Sequence, residues 1–445
     1  MAKKKQKEKR RRLVFEVLIF VGLMLVATVV GVVMWQMSGE KESELVKRGL
    51  PNRGLPVMEI NLNGVSLEEI DGGSKEVKYP GNELTIYNGG SAVEYRDVEL
   101  KGRGNLSWLQ PKKSYQIKFI NNTDLIGLGK MKKWVLISNY LDSTLLRNDI
   151  ALMLAEMLNV KYNNRGEFVE LYVDSEYRGL YYLVQKIDIA KGSVDLRGED
   201  GVLFEIDNLH GVADDEIYTA YLEDKLVLKD IVVDGGEFRE DVIEGFLADF
   251  NDAEKAVIEG DYEKVAEVLD VESFAKFFIV NEFAVDPDAY SSSFYIYRDD
   301  NGTIAAGPVW DFDLAFGSHV WNGSKNENYY SPRESMARRD EVFESGGNSV
   351  SLGTSKLIYY LMEMPEFREE VSRIFQEQMS GKKQELMSKI RASVSRLYLA
   401  VGEDSDKWGQ DDFGKEILKL MQWIDERYDY FEETYGGGEV IEGAV

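Results

Sequence analysis

The chain has no cysteine and only two histidines, His210 and His319, among its 445 residues. The first absence excludes disulfides, thiolate nucleophiles, zinc ribbons and iron–sulfur clusters. The second leaves a two-histidine zinc site or a Ser-His-Asp triad poorly supplied. Both histidines read as loop or surface residues. Basic residues are in deficit too: 53 Lys and Arg stand against 79 Asp and Glu, for a formal net charge of −26. That sign argues against nucleic acid as a partner, because phosphate-backbone binding needs the opposite one. There is no Walker A pattern, no internal repeat and no long low-complexity stretch.

What is present is a large apolar fraction, 44%, with 11% aromatic. The length allows two or three compact units. The basic charge that exists is concentrated at the start. Residues 1–12 carry eight basic groups and one acid, Glu8, and a 23-residue apolar run follows from Leu13 to Trp35, broken only by Glu16. At about 1.5 Å per residue such a helix spans the ~30 Å hydrocarbon core. The run is too long for a buried core helix and for the apolar region of a cleaved signal peptide. The expectation is a cytoplasmic basic tail over 1–12, a signal anchor in the lipid bilayer over 13–35, and a polar stalk over 36–50. The positive-inside rule then puts the rest of the chain outside the cell membrane.

Residues 57–119 alternate β-formers between Gly and Asn turn signals, as in SYQIKF, where Tyr115, Ile117 and Phe119 share one face. A helix is expected after Asp142, read as its N-cap, with Leu146, Ile150, Met153, Leu154 and Met157 at helical spacing. The segments EFVELYVD and LYYLVQKI read as a hairpin, and GVLFEID as a further strand. From about Asp241 the pattern turns helical, with a second helix capped by Asp270. A strand pair, SFYIYRD and TIAAGPVWD, interrupts this half, and residues 355–434 are again helical. The expected layout is α+β: a strand-rich lobe over 51–240, a helix-rich lobe over 241–435, a flexible tail over 436–445, and a cleft between the lobes.

Two segments could carry chemistry. In LKGRGNLSWLQPKKSYQIKF, residues 100–119, Gly102 and Gly104 permit close backbone approach, and Arg103, Lys112 and Lys113 add charge. Together they suit a polyphosphate; the competing reading is a hairpin turn with solvated lysines. In residues 281–317, Asp286, Asp288, Asp311 and Asp313 crowd near two strand ends. Such density repels unless a cation or a base function uses it, and oxygen donors suit Mg²⁺ or Mn²⁺. Turn chemistry accounts well for Asp299 and Asp300, and less well for Asp311 and Asp313 among apolar neighbours. The spacing from Asp288 to Asp311 is similar to that between the catalytic-loop and metal-binding aspartates of protein kinases, with Ser292 or Ser293 where an Asn ligand would stand.

Five segments in order carry a resemblance: GRGNLSWLQPKKSYQIKF, WVLISNYLDSTLLRNDIA, FVELYVDSEYRGLYYLVQKIDI, GVLFEID, and NEFAVDPDAYSSSFYIY with AGPVWDFDLAFG. Over roughly 55–320 the chain resembles the spore coat protein H (CotH) kinase family. The resemblance implies an atypical two-lobed protein-kinase-like fold, ATP with Mg²⁺ or Mn²⁺ as cofactors, and phosphate transfer to Ser residues of secreted or surface proteins. It makes Asp288 the catalytic acid and Asp311, with Asp313, the metal ligands. It assigns nucleotide binding to Gly102, Arg103, Gly104, Asn105 and Arg147, with Lys113 first and Lys118 second as the phosphate-contacting lysine. The chain departs from the family pattern at Gln185, where Glu is common, and at Leu106. The acidic surface favours a basic Ser-containing acceptor. A reading from another class is a catalytically idle surface module that keeps the fold to hold a wall polymer or a protein partner.

Overall fold

The structure, a computed structural model, describes residues 44–209, 217–232, 239–299, 302–318, 331–336, 342–345, 348–351, 356–409 and 412–437. The segment 13–35 expected to cross a membrane lies outside these residues, as do His210, His319 and Trp321. Among the described residues no helix is long and apolar enough to cross a membrane.

Seven strands form a closed barrel: β1 (Val57–Asn61), β2 (Lys78–Asn88), β3 (Ser91–Arg103), β4 (Ser114–Asp124), β5 (Lys130–Ile137), β6 (Gly166–Val173) and β7 (Glu176–Gln185), in the order β1-β2-β3-β4-β5-β7-β6. Neighbours are antiparallel except at the joint that closes the ring, where β1 runs parallel to β6 with Met58 opposite Leu171. Alternation does the sorting. Tyr115 and Ile117 point inward with Met58, Ile86, Trp134 and Leu183, while Gln116 and Lys118 take the outer face. Closure leaves this sheet no free edge.

A second sheet has the order β12-β11-β8-β10-β9, from β8 (Val202–Ile206), β9 (Ile217–Tyr218), β10 (Lys225–Ile231), β11 (Phe294–Arg298) and β12 (Ile304–Ala306). Its central strand β8 is buried throughout, with β10 on one side and β11 on the other. Helices cover it. Val242, Phe246, Phe250, Ala253 and Val257 of the helix Glu240–Glu259 form the expected buried stripe, and Asp270 caps Val271–Ala284 by accepting the Ser273 N–H at 3.2 Å. Lys356–Glu363, Pro365–Gln378, Lys383–Leu397, Val401–Trp408 and Phe413–Tyr435 complete the helical part.

This corrects the expected fold class. The strand-rich segment is not a kinase-like N-lobe but forms a closed barrel, and among the described residues no two-lobed kinase-like topology is shown. The second sheet joins strands from both sides of residue 240. The reason is burial: β8 is buried along its whole length and its backbone needs a partner on each edge, and β11, 88 residues on from Ile206 at Phe294, supplies one of them.

Candidate active site

The loop between β3 and β4 begins the site. Gly102 has no room for a side chain: a Cβ there would come within 2.5 Å of the Trp108 ring and 2.8 Å of the Lys75 backbone. Gly104 sits at φ +88, in the left-handed region open to glycine. The chain then turns through Ser107–Leu109 and enters β4. Lys75 holds this loop, its ammonium donating to the Gly104 carbonyl at 3.0 Å and to the Asn105 side-chain oxygen.

The expected lysines separate. Lys113 donates to the Trp108 carbonyl at 2.6 Å and lies over the Trp108 ring. Lys118 is on the outer face of β4, registered between Glu99 and Lys133. Lys112, its neighbour in the sequence, is fully buried. It donates to Asp404 at 2.8 Å and to the Leu180 carbonyl at 2.7 Å, so it fastens the helix Val401–Trp408 to the barrel.

Arg103 reaches out of the barrel. Its guanidinium stacks on Trp310, 4.8 Å from the ring centroid. Asp311 follows directly, exposed and at φ +71. Asp313, two residues on, accepts from the Asn148 amide at 2.8 Å, and the Asn148 carbonyl oxygen accepts the Phe312 N–H at 3.0 Å. Asn148 therefore clamps the turn from both sides. Burial, and then the Asp311 charge, push the Asp313 carboxyl up to about 7; the Asn148 donation and Arg103 pull the other way.

Arg147 is committed beside it. Its Nε donates to the Ala315 carbonyl at 2.8 Å, and the rest of its fork goes to Asp142 and Thr144. Asp142 is not the N-cap of the helix Arg147–Met157: Leu146 holds that place, and the Asp142 carboxylate folds the preceding turn by accepting from Thr144 and the Arg147 N–H. Gln185 is buried. It donates to the Leu128 carbonyl and accepts the Arg165 N–H at 2.9 Å, which ties two barrel loops.

The third segment follows the helix Val271–Ala284. Val285 is a β-branched residue at φ +48, a strained conformation. Asp286 is 2% exposed, and its Oδ1 has no hydrogen-bond partner. Burial raises its carboxyl well above the ordinary range, followed by the charges of Asp288 and Asp311; the Asp288 N–H, which donates to it, opposes them. Asp288 itself is half-buried. Phe316, also at positive φ, donates to the Ala284 carbonyl at 2.6 Å and so brings the 311–317 turn against this loop.

The structure thus gathers Arg103, Asp288, Asp311 and Asp313, and adds two residues the sequence reading had not weighted, Lys75 and Asn148. Asn148 was visible beside Arg147, but nothing local reveals that its amide meets Asp313. A hard divalent cation fits this donor set in chemistry: the donors are carboxylate oxygens, and a buried oxygen of Asp286 stands without a donor. Among the described residues no three acidic or histidine side chains converge tightly enough to hold an ion by themselves, so water or phosphate oxygens would complete the shell.

No curated protein matches the chain. The family described as CotH kinase protein matches residues 100–431, which runs from the end of β3 through the β3–β4 loop, the second sheet and both aspartate turns. The chain belongs to the CotH kinase family.

Proposed function

We propose that the chain is a protein kinase that transfers the γ-phosphate of ATP to serine hydroxyls of a basic secreted or surface protein. The observation that carries this reading is the meeting of three segments distant in sequence. The glycine loop delivers Arg103 onto Trp310; burial and then neighbouring carboxylates raise Asp286 and Asp313, Asp288 and Asp311 acting on the first and Asp311 on the second, where Arg103 opposes them. Phosphoryl transfer requires this kind of positioning and charge balance more than covalent chemistry.

Arg103 and the backbone around Gly102 and Gly104 would meet the phosphates. Asp311 and Asp313 would hold Mg²⁺ or Mn²⁺, which when bound neutralises phosphate charge. Asp288 would orient the acceptor hydroxyl and take its proton as the serine oxygen bonds to the γ-phosphorus and ADP leaves. The excess of carboxylates favours a basic acceptor segment by field complementarity.

The test incubates the full-length chain with γ-labelled ATP, Mg²⁺ or Mn²⁺, and a basic Ser-containing peptide. Label should reach the peptide or the chain itself. If wild-type protein labels neither while remaining folded, the reading falls and the idle binding module replaces it.

A further inference from the structure

Lys75 lies outside the family-matched residues, which begin at 100. It also belongs to none of the barrel strands, being in the turn between the short helix Leu67–Gly72 and β2. Yet it is the lysine most closely engaged with the glycine loop. Its backbone packs where a side chain at 102 would have to go, and its ammonium donates to Gly104 and Asn105.

The other lysines near this loop are placed differently. Lys112 is buried against Asp404, Lys113 is turned onto Trp108, and Lys118 sits along β4. The grip on Gly104 also has a direction. In a trans peptide the carbonyl and the following N–H point opposite ways. Holding the Gly104 carbonyl toward Lys75 turns the Asn105 N–H to the other side of the loop. Arg103 leaves that loop for Trp310, next to Asp311. The ammonium thus grips the loop from one side, and the Asn105 N–H that it orients is presented to an anion on the other.

We propose that Lys75, contributed by the segment ahead of the family-matched region, is a positioning residue that sets the orientation of the loop whose backbone N–H meets the nucleotide's phosphates. The inference rests on the kinase reading above, and its test separates the two. Isothermal titration of the full-length chain compares ATP with adenosine, in Mg²⁺, for wild type, Lys75→Met and Lys75→Arg. Loss of the charge-assisted grip on Gly104 should let the loop turn and weaken ATP by about tenfold to a hundredfold in Lys75→Met. Adenosine, which has no phosphate, should bind all three proteins alike. Lys75→Arg should recover most of the ATP affinity. If wild type binds ATP and Lys75→Met binds it equally well, Lys75 has no such role and the kinase reading survives. If ATP and adenosine weaken together, the residue is structural only and the proposal is wrong. If wild type binds no ATP, the kinase reading itself falls and takes this inference with it.

Discussion

At Leu180 the barrel buries Lys112 against Asp404 and a main-chain carbonyl, while at Asp286 the loop beside the 311–313 turn buries a carboxylate among other carboxylates. Burial lowers the Lys112 ammonium and Asp404 opposes it; at Asp286 burial and the nearest charges act in the same direction. The first arrangement joins two elements. The second stores an imbalance that a cation or a phosphate-bound ligand can relieve. Val285, Ser293, Asp311 and Phe316 of the carboxylate segment are at positive φ, as Asp97 and Ile126 are in the barrel, so backbone strain is not confined to either place. A fold that matches buried Asp404, Asp142 and Glu282 with Lys112, Arg147 and Arg427 leaves an oxygen of buried Asp286 without a partner.

The comparison breaks most visibly at Asp288. Asp288→Asn keeps shape and removes basicity, so phosphate transfer should fall by about 10²–10⁴-fold, read from γ-label incorporation, with ATP affinity nearly unchanged. Transfer at the wild-type rate would reduce Asp288 to a turn residue.

Asp404→Ala probes the other side. It strands a buried ammonium and should lower the unfolding free energy by about 3–5 kcal/mol in urea titrations. The transfer rate per folded molecule should stay at the wild-type value. Replacing Lys112 by Met and Asp404 by Leu together should restore most of the stability, because the pair is then apolar on both sides.

Asp311→Asn sharpens the distinction between holding structure and holding a ligand. Asn tolerates positive φ, so the turn should survive by circular dichroism. The part of ATP affinity that depends on Mg²⁺, on the order of tenfold, should vanish in calorimetry with and without chelator.

The smallest effect is expected at Asp313. Its carboxyl is pushed up to about 7, so the folded chain binds this proton more tightly than the unfolded chain does. Stability therefore falls as pH rises from the ordinary carboxylate range toward 7, and the full penalty remains above that. Asp313→Asn in chelator should raise the melting temperature at pH 8 by roughly 1–2 °C and leave it unchanged near pH 4. Equal melting curves at both pH values would remove the charge imbalance from the comparison.

Local pattern was enough for much of this. The alternation of Tyr115, Ile117 and Phe119, the hairpin of Gly166–Val173 with Glu176–Gln185, and the Asp270 cap are short-range properties, and each stands where expected. What escaped was long-range. Nothing near Met58 announces a parallel partner at Leu171, so the strands read as a kinase-like lobe instead of a ring. Lys112 and Lys113 look alike in sequence, and only the position of Asp404 separates a buried fastening from a loop cation. The aspartate turns were legible because carboxylates among apolar residues are costly; Lys75 was not, because a lone lysine in a polar turn has no local signature.

The Lys112–Asp404 pair also bears on the order in which the chain can be finished. All seven barrel strands are encoded before residue 186, but the counter-charge for Lys112, in the loop that leads into β4, arrives 292 residues after it. At 5–20 residues per second, a ribosome needs about 15–60 s to cover that interval. Until then Lys112 has no counter-charge, and the wall at Leu180 lacks the helix that covers it. The barrel is first in synthesis and among the last parts to seal, and any premature stop before residue 404 leaves it unsealed.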